Sequence, residues 1–204
     1  MAEANTWQNI KEFGLLSTSA ILDLHKIDDD NRVKYESMHR PDMVSILSKN
    51  APKMILRDQK PMSDARLEIA LNGSSTPREW YELLNRRVFL WATKDRLLTL
   101  LSARHYRSVF HDVLTVDCAS FAKDYHKKIE LCHMNSGNTF PIPHHRTSCI
   151  FQSIDDYPAK PSGFPIKEVA EVTVPHRIPN ILDYVIRVDS YKGPDLSRVI
   201  YERN

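Results

Sequence analysis

The chain has 204 residues, 42% apolar and 26% charged, with a formal net charge of +2. That length fits one compact domain, which buries roughly 70% of its unfolded surface and needs neither disulfide nor metal to fold, and the composition excludes a disordered or fibrous chain. Three scattered cysteines without a CxxC exclude a disulfide scaffold, no apolar run reaches the ~18 residues of a membrane span, and MAEANTWQN lacks the regions of a signal peptide, so a cytoplasmic protein is expected.

Thr6 is a helix cap in sequence terms, Trp7–Phe13 a short helix and Gly14 its stop. STS (17–19) is a turn or cap, and AILDLHKI continues as a second helix. DDDNR (28–32) reads as a polar loop. MVSILSK and KMILRDQ (43–59) form a strand pair with NAP at the turn, and DARLEIAL (64–71) is a helix ended by NGSS. TPREWYELLNRR (76–87) starts with Thr76, Pro77 and Glu79, a capping box. VFLWA (88–92) is a strand, Thr93 caps a helix over 94–106, and HDVLTVD (111–117) alternates as a strand. A helix over 119–128 and a strand over 129–134 follow. Two loops, 135–149 and 157–165, contain Gly and Pro. Two strands, about 166–174 and 183–190, precede a polar tail. With no repeat or linker, the expectation is a single α+β domain over 1–204 with a partly antiparallel sheet.

The chemistry classes narrow quickly. Cys132, His133, His144, His145 and Cys149 match no structural zinc spacing, so no metal is expected. No GxSxG elbow and no glycine-rich phosphate loop occurs, since the five glycines stand singly. Arg57 and the Arg86–Arg87 pair flank strands, where a guanidinium can fork onto phosphate or carboxylate; a surface charge is the plainer reading. Trp80, Tyr81, Phe89 and Trp91 cluster nearby, as core or as aromatic walls of a nucleotide cleft. Glu168 and Glu171 enter the first late strand, three apart and so on opposite faces. One of them faces either water, keeping an edge soluble, or a cleft.

Several stretches carry a resemblance: WQNIKEFGLLSTSAILDL, ILRDQKPM, WYELLNRRVFLW, HDVLTVD, MNSGNTFPIPHHR, DDYP and EVTVPHRIPNILDYV. Together, over roughly residues 4–190, they resemble an uncharacterised bacterial family that is distantly similar to the DarT-type ADP-ribosyltransferase toxins. The second step rests on the order of elements. The resemblance implies the split two-sheet β core of the ADP-ribosyltransferases with flanking helices, and NAD as co-substrate in the cleft. It makes Glu171 the catalytic carboxylate, with Glu168 in reserve. It places Ser17, Thr18 and Ser19 by the ribose, and Arg57 or Arg87 on pyrophosphate or ribose. Phe89 and Trp91 would wall the nicotinamide pocket. Asn135, Ser136, His144, His145 and Arg146 would face the acceptor, which is DNA, RNA or protein. A toxin or phage-defence role, with a possible antitoxin, comes with it. That family carries a ribose-binding His at the end of a strand just before the position of Met1. A late start, a trimmed chain and a member without that group all stay open. Two other readings compete. One is a non-catalytic nucleotide-binding or interaction module. The other is an RNA-cleaving toxin using His144 or His145.

Overall fold

The computed structural model describes residues 1–203 and shows an α+β chain, with seven α-helices and several antiparallel sheets among those residues. Strand β1 (Ala2–Glu3) leads into helix α1 (Trp7–Phe13). Thr6 occupies the cap position without capping: its hydroxyl donates to Glu3 O at 2.6 Å. The carboxylate of Asp112 takes over and accepts from the Thr6 and Trp7 amides at 3.0 and 3.3 Å. Gly14 stops the helix at φ 76°, where a Cβ would sit 2.3 Å from Ile178 O. Only glycine meets both demands.

After β2 (Leu15–Leu16), Ser17 caps α2 (Thr18–His25) by accepting from Ala20 N at 3.1 Å. The expected polar loop at 28–32 is instead the start of α3 (Asp29–Glu36). Asp28 caps it, Asp29 and Asp30 complement the dipole of its first turn, and Arg32 bonds Glu36 one turn on at 2.8 Å. β3 (Val44–Ile46) and β4 (Met54–Leu56) form the expected hairpin, in register Val44 to Leu56. α4 (Asp64–Leu71) and α5 (Pro77–Asn85) follow, the latter with its capping box formed as read: Thr76 accepts from Glu79 N while Glu79 accepts from Thr76 N.

β5 (Arg87–Trp91) runs into α6 (Lys94–Leu101), then β6 (Phe110–Val116), α7 (Cys118–Asp124) and β7 (Glu130–Cys132). The last strands are β8 (Gln152–Ser153), β9 (Glu171–Pro175), β10 (Arg177–Ile178), β11 (Val185–Lys192) and β12 (Asp195–Glu202). The late strand expected over 166–174 is thus shorter, and the expected polar tail is a strand.

Two four-stranded sheets dominate, in the orders β1-β6-β11-β12 and β5-β9-β7-β8, with small pairs β10-β2 and β3-β4 beside them. Their shared core explains the facing of each strand. Val88, Val172, Val174 and Leu131 of the second sheet join Leu114, Val116, Val185 and Val188 of the first in one apolar cluster. Side chains alternate along a strand, so Glu171 and Thr173, between and beside those valines, project from the other face. A second cluster covers that face, built from Trp80, Tyr81 and Leu84 of α5 with Cys132, Ile150 and Phe151.

Candidate active site

A cleft of about 1790 Å³ runs along both sheets. Large clefts with a few convergent polar groups are where ligands bind. Glu171 is the carboxylate that meets the strongest conflict there. It opens β9, it is 5% exposed, and it lines the cleft. Trp91 and Cys132 pair with it across the two neighbouring strands, so the three side chains share a face. The amide of Ser136 donates to Glu171 Oε2 at 3.2 Å. Burial pushes the acid up to about 7, while Ser136, Arg146 and Arg96 pull the other way. Ser136 Oγ is buried and completes no hydrogen bond among the described residues. It stands beside the carboxylate, where its hydroxyl favours the ionised acid.

Arg57, directly after β4, also lines the cleft. Its Nη1 lies 3.5 Å from Glu3 Oε2, but neither atom completes a hydrogen bond. The guanidinium lies 5.4 Å from the Tyr106 ring centroid, and the Tyr106 hydroxyl donates to Asp58 Oδ2 at 2.9 Å. Burial, then the charge of Asp58, pushes that phenol up to about 12. Beneath the floor sits Arg40, 6% exposed. Its donors reach Arg57 O at 2.6 Å, Asn85 Oδ1 at 3.1 Å and Thr18 Oγ1 at 3.4 Å. Those three residues line the cleft. Burial pulls Arg40 down to about 10, so it stays charged at neutral pH. Sequence reading passed over Arg40, Asn85 and Tyr106. The one signal was Asn85, a weak helix former closing a well-capped amphipathic helix.

The residues singled out in the sequence divide. Ser17, Thr18, Arg57, Phe89, Trp91, Asn135, Ser136 and Glu171 all line the cleft. Trp91 also packs on Leu97, Leu101 and Val113. Asn135 accepts from Gly137 N at 3.1 Å and tightens the turn that presents Ser136.

Ser19 does not reach the cleft. Its hydroxyl is buried behind α2, donating to Glu36 and to Asn85 O. Glu168 precedes the strand, so the alternation of faces does not apply to it. It is exposed and paired with Arg96 at 3.0 Å. Arg87 borders the cleft but has its donors committed: Nε and Nη2 fork onto Glu130 at 2.7 and 3.1 Å, and Nη1 donates to Leu83 O at 2.8 Å. The Phe151 ring lies 4.6 Å from its centre. It braces α5 against the sheet and has no fork left for phosphate.

His144 and His145 are exposed and stand outside the cleft lining. Arg146, expected to face the acceptor with them, is instead 1% exposed and outside the cleft lining. It donates to the carbonyls of Ser136, Asn138 and His144 at 2.8, 2.8 and 3.1 Å. Its partners are backbone carbonyls, which leave no trace in a sequence, so its burial was not legible there.

Fold and cleft define an α+β protein with a buried carboxylate facing a ligand-sized groove. The chain belongs to a family of unknown function, DUF7002, whose model matches residues 1–185. Comparison with curated proteins and with solved structures returned no match.

Proposed function

We propose that the protein is an NAD-dependent ADP-ribosyltransferase that transfers ADP-ribose to a nucleic-acid or protein acceptor. The observation that carries this is Glu171, a buried carboxylate with its affinity for protons raised, at the start of a central strand and lining a cleft large enough for a dinucleotide. A structural acid gains nothing from that position, whereas reacting acids are found where burial shifts their titration. The two facing antiparallel sheets, and the resemblance in GLLSTS and EVTVP, support the same reading.

The residues fit such a ligand. Arg57 Nη1 and Ser136 Oγ are buried polar atoms that complete no hydrogen bond among the described residues, and both residues line the groove. Arg57, backed by the buried charge of Arg40, suits a pyrophosphate. Thr18 at the start of α2 suits a ribose. Phe89 and Trp91 offer flat apolar walls. In the reaction the bond between ribose C1 and the nicotinamide nitrogen breaks, and nicotinamide leaves with the electron pair. The ribose then carries oxocarbenium character, which the Glu171 carboxylate stabilises. The acceptor atom bonds to C1, and its proton passes to Glu171.

The test is nicotinamide release from NAD by the purified protein, with DNA, RNA or lysate added, beside Glu171→Gln. Release that falls roughly 10²–10⁴-fold in the variant is expected. Tight NAD binding without release from either protein would replace the transferase by a binding module. RNA cleavage without NAD, lost on substituting His144 or His145, would establish the toxin nuclease instead.

A further inference from the structure

We infer that Arg146 is a positioning residue for Glu171, acting through Ser136 and through its own charge. This rests on the reading of Glu171 as the functional acid. Arg146 is a buried cation that makes no ion pair within 4.0 Å among the described residues, and a charge removed from water without a partner is costly. Its three donor nitrogens converge on carbonyls of one loop, those of Ser136, Asn138 and His144. Its own amide is tied to Ala70 O in α4 at 3.0 Å. Arg146 thereby ties a long connection with two prolines, held separately where Thr139 donates to Pro61 O, at a further point.

The point chosen is Ser136. Its carbonyl accepts from Arg146 Nη1 at 2.8 Å and from Trp80 Nε1 at 3.4 Å, while its amide is the group that donates to Glu171. Arg146 therefore decides whether that donor stays aimed at the carboxylate. The charged and titratable groups around Glu171 are Arg146 on this loop, Arg96 on α6 and Cys132 on β7. Arg96 already holds Glu168 at 3.0 Å, and Cys132 donates to Met134 O at 3.2 Å. Arg146 is the cation among them without a carboxylate of its own. Its charge favours the ionised acid against burial.

The experiment follows the Glu171 carboxyl by NMR through a pH titration, assigned by its loss in Glu171→Gln, in the wild type, Arg146→Met and Arg146→Lys. It needs no substrate, so its outcome is independent of whether NAD is consumed. In Arg146→Met the midpoint is expected to rise by about one unit or more. Arg146→Lys, which keeps the charge but not the fork, should rise less. If the methionine variant does not fold, any rise in the lysine variant carries the inference. A midpoint unmoved in every folded Arg146 variant would overturn it. Where nicotinamide release is measurable, the pH profile should move with the carboxyl, whereas a merely structural role would lower the rate without moving the profile.

Discussion

Two arginines of similar sequence setting separate once their partners are known. Arg57 lines the cleft with an Nη1 that completes no hydrogen bond among the described residues, and Arg87 has all its nitrogens bonded to Glu130 and Leu83. Arg87→Met should therefore lower stability, by about 2 kcal/mol from the loss of charged hydrogen bonds, and leave NAD affinity within about twofold. Arg57→Met should weaken NAD binding roughly tenfold or more; it also leaves Glu3 without its cation, so the effect on affinity is what separates it from Arg87→Met. Calorimetry and denaturation on both variants check this together. Equal effects of the two on affinity would return Arg87 to the site. Neither assignment was legible in ILRDQ or NRRV, because the choice depends on Glu130, which lies 43 residues further along the chain.

At the scale of elements, local signals were the legible ones. The capping box at Thr76, the Ser17 and Thr93 caps and the β3–β4 hairpin all depend on neighbours within a few residues. Two elements and one cap went unread for separate reasons. α3 has only Val33 and Tyr35 as large apolar residues, so no apolar stripe marks it. β12 is mostly exposed, and its partner β11 carries register shifts at Val188/Asp189 and Ser190/Tyr191 that blur alternation. The entry to α1 depends on Asp112, a residue on β6. The Gly14 stop was legible, but not its contact with Ile178 O. Gly14→Ala meets both a positive φ and that backbone atom. It should cost more than about 1 kcal/mol, read as a lower urea midpoint; an unchanged midpoint would show that α1 and the Ile178 turn separate without loss.

For the molecule as a whole, a buried acid links stability to pH. Glu171 titrates at about 7 when folded against 4.5 when exposed. Below about 4.5 it is protonated in both states, and its burial costs little. As pH rises toward 7 the unfolded chain releases this proton and the folded chain keeps it, so the Glu171 contribution to stability falls; above about 7 it is level. Glu171→Gln should then be more stable than the wild type at pH 8, by as much as about 3 kcal/mol, with the difference shrinking toward pH 4.5. Parallel urea melts of the two proteins measure it. A difference that does not vary with pH would mean that the carboxylate is better solvated than its 5% exposure implies.

The proposed function rests on the same acid, and the most direct measurement is nicotinamide release from NAD as a function of pH for the wild type and Glu171→Gln, with the acceptor mixture present. The wild-type rate should rise with pH through about 7, as Glu171 ionises, and the variant should stay near background throughout. A Glu171→Gln protein that releases nicotinamide as fast as the wild type at every pH would contradict the assignment of Glu171, and with it the transferase chemistry proposed for this cleft.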